Sequence, residues 1–130
     1  MSTFSGDSTA LAALANGASG PVTANPSAIL AHYDAMGGAS SFLGQINGAE
    51  YAVPGGRAQN FTGGSVYWTP TTGAHELHGA IKAQWAKYQS GTGSLGYPTS
   101  DERSVPGGRQ SDFRGGSLFW NAATGVVTRR

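Results

Sequence analysis

Glu50 and Glu102 are the residues of this chain that most suggest catalysis. Two carboxylates flanking a sugar bond are the usual machinery of glycoside hydrolysis, one held as the acid and the other ionised. These two, however, stand 52 residues apart, each five residues before matching text: GGRAQNFTGGSVYW from Gly55 to Trp68 and GGRQSDFRGGSLFW from Gly107 to Trp120. Equivalent positions imply similar environments and similar pKa values, the opposite of what the reaction needs. Each glutamate is therefore expected to accept loop N–H groups or pair with an arginine.

Other motifs fail on context. GTGSLG (Gly91–Gly96) fits the G-x-G-x-x-G dinucleotide pattern, but that fingerprint needs a strand before it and a helix after it. Here a helical pattern precedes and Tyr97–Pro98 follows. His75 and His78 are three residues apart and His32 is the third histidine. Zinc asks for three or four ligands, and positions i and i+3 of a strand face opposite sides, so these are expected as surface or strand-end histidines. The chain holds no cysteine and no G-x-S-x-G elbow. No catalytic residue, metal or cofactor is expected, and the chain reads as non-enzymatic.

Aromatic and arginine chemistry remains. Flat aromatic faces stack on sugar C–H surfaces, and arginine offers a planar fork of donors. The candidate ligand-binding residues are Tyr97, Asp101, Glu102, Arg109 and Phe119 in the second copy of the repeat, with Arg57 and Tyr67 in the first. Trp68, Trp120, Phe61 and Phe113 are assigned to the core, because small sheets need large side chains to fill them. Arg57 and Arg109 stay open between loop clamp and ligand contact.

The elements that position these residues repeat at the same step. Ile29/Ile81, Leu43/Leu95, Gly64/Gly116 and Gly73/Gly125 all lie 52 residues apart, and a fixed period of this size marks a repeat architecture. Ile81, Trp85 and Tyr88 fall on one helical face, as do Ile29, Tyr33 and Met36. Ser27 is a reasonable N-cap for the first helix and Gly37–Gly38 a reasonable stop. After each helix come three strand lengths: Arg57–Phe61, Ser65–Trp68 and Ala74–Leu77 in the first copy. The fold class is α+β: two tandem units, each a short helix plus a small antiparallel meander, sharing a core. The expected divisions are residues 1–26 (an Ala/Gly/Ser/Thr-rich arm with a short helix started by Ser8), residues 27–78 and residues 79–130.

Composition narrows the partners. A net charge of +1 gives no nucleic-acid footprint. No apolar run approaches the roughly 20 residues that cross a bilayer, and the N-terminus lacks a basic region and a long apolar stretch of the signal-peptide kind.

The segment GAIKAQWAKYQSGTGSLGYPTSDERSVPGGRQSDFRGGSLFW resembles an LGFP repeat. Leu95-Gly96-Tyr97-Pro98 stands where the family has Leu-Gly-Phe-Pro. An acidic pair, a Gly-Gly-Arg turn, a Phe and a Gly-Gly-hydrophobic-Trp strand follow. The first copy departs, with Leu43-Gly44-Gln45-Ile46 and only Glu50 of the acidic pair. The resemblance implies a non-catalytic module of actinobacteria with mycolic-acid envelopes. Such modules are usually appended to secreted mycoloyltransferases, amidases or esterases and are thought to hold them at cell-wall arabinogalactan. The expected partner is thus a cell-wall polysaccharide, and the expected place the cell-wall surface. The alternative is a virion protein of an actinobacteriophage, a decoration or tail-associated protein docked on capsid or tail through residues 1–26 with its repeats displayed outward. It is suggested by a chain that opens at Met1 without a signal peptide or an attached enzyme.

Overall fold

The computed structural model describes residues 27–130, and the expected arm, residues 1–26, lies outside them. His32–Arg130 form one compact unit, and the site lies wholly within it. Helix α1 (Ala28–Ala35) starts at Ser27, whose Oγ accepts the Leu30 N–H at 2.9 Å. It stops at Gly37 and Gly38, both left-handed, with φ of 112° and 57°. A 3-10 turn, Gly38–Ser40, follows.

Strands β1 (Tyr51–Val53), β2 (Gly56–Phe61), β3 (Gly64–Thr69) and β4 (Gly73–Leu77) form an antiparallel sheet in chain order. Helix α2 (Gly79–Lys87) and a second 3-10 turn, Ser90–Thr92, lead into β5 (Arg103–Val105), β6 (Gly108–Phe113), β7 (Gly116–Asn121) and β8 (Val127–Arg129), which form the second sheet. The sheets have four strands rather than the expected three. Pro54–Gly55 and its counterpart Pro106–Gly107 each make a two-residue turn that folds a short edge strand onto β2 or β6.

The repeat is structural as well as textual. Tyr33 on α1 donates its OH to Gly44 O at 2.6 Å and stacks on Phe61 with ring centroids 4.4 Å apart. One period later, Trp85 on α2 donates Nε1–H to Gly96 O at 2.8 Å and stacks on Phe113. The Leu-Gly segment is thereby tied to the helix. It is tied to the sheet as well: Gly63 N–H donates to Leu43 O, and Gly115 N–H to Leu95 O, both at 2.8 Å. The Gly-Gly turns exist for this approach, because a Cβ on Gly63 would lie 1.9 Å from Phe42 O, and one on Gly115 would lie 2.0 Å from Ser94 O. Arg57 faces Trp68 and Arg109 faces Trp120 in the same register.

A common core spans the joint between the copies. Ala58, Tyr67 and Leu77 of the first sheet pack with Ile81 and Trp85 of α2 and with Leu95, Tyr97, Phe113 and Leu118 of the second copy. Tyr67 meets Trp85 edge to face at 4.7 Å. Phe61 and Phe113 are buried, as expected of core residues. Trp68 and Trp120 are only partly buried, because each sits beside an arginine at the turn end of its sheet, where solvent reaches it.

The last strands break the step. Ala74 pairs with Trp68, but Val127 rather than Val126 pairs with Trp120. The connecting turn is one residue longer in the second copy. A one-residue slip sends each following side chain to the other face, which places Arg130 over the Phe119 ring at 3.9 Å and leaves Val126 exposed.

Candidate functional site

The seven candidate residues separate into four places. Tyr67 and Tyr97 come together at the joint between the copies. Their rings help line a recess of about 330 Å³ with Tyr51, Trp85, Gln89 and Ser90. Tyr97 OH donates to Pro54 O at 2.6 Å, spanning from the second copy to the β1–β2 turn of the first. Beyond that bond lies a wider depression of about 660 Å³, lined by Thr69, Thr71, Thr92, Ser94, Gly96 and Arg114 among others. Pro54, Gly91, Thr92 and Tyr97 border both, so the two recesses adjoin on one grooved face. Their volumes fall in the range of small-ligand sites.

Tyr97 fits because residue 91 is glycine. A Cβ there would sit 2.1 Å from the Tyr97 ring. Burial pushes the Tyr67 phenol up to about 12 and raises that of Tyr97, so both remain neutral hydroxyls. Among the described residues that line the smaller recess there is no Asp, Glu, His, Lys or Arg. Its lining is aromatic edges, an amide, hydroxyls and backbone.

Asp101, Glu102 and Arg109 gather elsewhere, with all three histidines of the chain. Asp101 Oδ1 accepts His32 Nε2–H at 2.8 Å and the Glu76 backbone N–H at 2.9 Å, and His75 Nδ1 lies 3.6 Å away. Glu76, 1% exposed, accepts His78 Nδ1–H at 2.7 Å and the Glu102 backbone N–H at 2.9 Å. Glu102 accepts Arg109 Nε–H at 2.6 Å, and His78 Nε2 lies 3.3 Å from it. Because β4 is an edge strand, Asp101 covers an N–H that would otherwise invite another strand.

Electrostatics follow from this packing. Burial works to raise the Asp101 pKa, but the bonds from His32 and the Glu76 N–H, with the His75 ring 3.6 Å away, outweigh it and hold the group well below the usual carboxylate range. The Asp101 carboxylate raises the His75 pKa against the effect of burial. Glu76 does the same for His78. His75 and His78 do not converge, as the strand geometry predicts. Each reaches a different carboxylate, and the ring near His75 is that of His32, at 6.0 Å. His78 stands at the strand end, as expected, and both are partly buried at the junction rather than on the open surface.

The remaining candidates stand apart. Arg57 Nε–H donates to Glu50, the counterpart of the Arg109–Glu102 pair, but Glu50 is the more exposed of the two glutamates and, among the described residues, has no histidine beside it. Phe119 lies beneath Arg130. The sequence reading missed Tyr51, 39% exposed at the rim of the smaller recess, and also Gln89 and Ser90. A comparison of the copies carried the signal for the last two, since the positions one period earlier are Gly37 and Gly38.

A serine–lysine contact invites a hydrolase reading. Lys82 Nζ donates to Ser65 Oγ at 2.8 Å, and burial lowers the lysine pKa, as in Ser–Lys variants of the catalytic triad. Ser65 has 0% exposure and its hydroxyl is committed to Asn60 Oδ1 at 2.8 Å, so no carbonyl can reach it. Among the described residues no group of three or more His, Cys, Asp or Glu side chains is placed to hold a metal. No described helix is long and apolar enough to cross a membrane.

Comparison with known families places the chain. The model of the LGFP repeat matches residues 43–93 and again residues 95–129. The two matches start 52 residues apart, at Leu43 and Leu95, and the first takes in one sheet together with the helix that follows it. No curated protein matches the chain.

Proposed function

We propose, since the chain belongs to the LGFP repeat family, that it is a non-catalytic module attaching to actinobacterial cell-envelope glycan of the arabinogalactan type. LGFP repeats are associated with the cell surface. The observation that carries the finer reading is the groove at the joint between the copies, with aromatic edges from Tyr51, Tyr67, Trp85 and Tyr97 and uncharged polar groups beside them. Aromatic surface with a few placed amides and hydroxyls suits a neutral polyol. A net charge of +1 and a lining short of cations argue against attachment through a basic patch.

Titration of the whole chain with soluble arabinogalactan, followed by calorimetry, tests this reading. Saturable binding that survives raised salt is the expected result, since the contacts are not ionic. Absence of binding, or binding that salt abolishes, would overturn it.

A further inference from the structure

Gln89 and Ser90 occupy backbone that L-residues avoid. Their φ angles are 68° and 56°, both left-handed, and they are the described residues other than glycine with positive φ. The Cβ of such a residue is pressed toward neighbouring backbone, and only glycine takes the conformation freely. One period earlier the chain uses Gly37 and Gly38 at these two positions, with φ of 112° and 57°. The first copy therefore solves the same helix exit without strain, and the second does not.

The strained pair lies on the groove. Gln89 and Ser90 line the smaller recess with Tyr51, Tyr67, Trp85 and Tyr97. Gln89 is exposed and Ser90 partly so. Neither side chain takes part in a hydrogen bond among the described residues; the bonds at this turn use backbone groups, such as Gln89 O accepting Thr92 Oγ1–H at 2.9 Å. Two polar side chains with unused capacity thus stand beside an aromatic surface, on backbone where glycine would be more stable. Strain of this kind persists where it serves a site.

We propose that Gln89 and Ser90 are ligand contacts of the groove, hydrogen-bonding the hydroxyls of a neutral sugar seated against Tyr51. This rests on the glycan reading above. The Gln89 amide offers two donors and an acceptor and the Ser90 hydroxyl one of each kind, a set that matches adjacent sugar hydroxyls and carries no charge. The first copy, with glycines at these positions and Gln45 where the second has Tyr97, offers no such set, so the joint holds one site.

The test uses the full chain and the variants Gln89→Gly, Ser90→Gly and the double variant, with soluble arabinogalactan as probe. Thermal midpoints should rise by a few degrees as strain is relieved. Affinity should fall tenfold or more for Gln89→Gly and further for the double variant. Higher midpoints with unchanged affinity would overturn the proposal and leave the glycan reading standing. Lower midpoints would overturn it as well, by showing that the side chains hold the fold. If the unaltered chain binds no arabinogalactan, the glycan reading fails and this inference with it.

Discussion

Glu76 is joined to Asp101 and to the residue after it by bonds that run in opposite directions. The Glu76 N–H donates to Asp101 Oδ1 at 2.9 Å, and the Glu76 carboxylate accepts the N–H of the next residue, Glu102, also at 2.9 Å. The acidic pair of the second copy is thus spent on the edge strand of the first. Its counterpart in the first copy is Ala49–Glu50. Glu50 keeps its arginine, while the residue that would reach toward a preceding strand is an exposed alanine.

Asp101→Ala should therefore be costly. It strands the Glu76 N–H and removes the partner of His32 and His75, and leaving such groups unpaired costs about 2–3 kcal/mol. Ala49→Asp should change stability by less than about 0.5 kcal/mol, as ordinary surface substitutions do. Urea denaturation of both variants measures the difference; equal effects would remove Asp101 from the junction.

Stability should peak in mildly acid solution. His75 and His78 have raised pKa values in the fold, so their contribution is complete below the unfolded value of about 6.5 and is lost as pH rises through the folded values. Asp101 is held low, so its contribution is present above about 3.9 and is lost as pH falls toward its folded value. Calorimetry across pH should give a higher Tm near pH 5 than near pH 8.5, two values chosen to fall on either side of the histidine range. The double variant His75→Ala, His78→Ala should flatten the alkaline limb.

The two arginines should differ. Arg109→Ala leaves Glu102, whose side chain is 6% exposed, without its guanidinium, whereas Arg57→Ala leaves Glu50 at 24%. Both arginines are substantially exposed, which reduces each effect; about 1–2 kcal/mol is expected for Arg109 and below about 1 kcal/mol for Arg57. Neither arginine lines the groove, so arabinogalactan affinity of the folded variants should hold. A marked loss of affinity in Arg109→Ala alone would make that residue a contact rather than a clamp.

Gly91→Ala should damage the joint without touching either sheet. Its Cβ would fall 2.1 Å from the Tyr97 ring, and overpacking of this kind costs about 1–3 kcal/mol. Displacing that ring should break the Tyr97–Pro54 hydrogen bond, visible as faster hydrogen exchange near Tyr97. Unchanged exchange would show that the ring has room to move.

The sequence by itself determined the unit and its contents. The 52-residue step, the Ile-Trp helical face, the Gly-Gly turns and the α+β class are all local or periodic, and local propensity with hydrophobic spacing is readable along one chain. It also anticipated that Glu50 and Glu102 would each pair with an arginine, although the joint between the copies buries Glu102 further. Even the extra edge strands had a local sign in Pro54–Gly55 and Pro106–Gly107.

Only the tertiary structure decided what the copies do to each other. Asp101 meets Glu76 and His32 across separations of 25 and 69 residues, and no periodicity within a unit specifies a contact between units. The slipped register of β8 came from a single added turn residue, which a gapless sequence step conceals. The groove appeared where Tyr51 and Tyr67 of one copy faced Trp85 and Tyr97 of the next. A composite surface depends on how two packed bodies are docked, and that docking is fixed by side-chain shape in the shared core rather than by any motif along the chain.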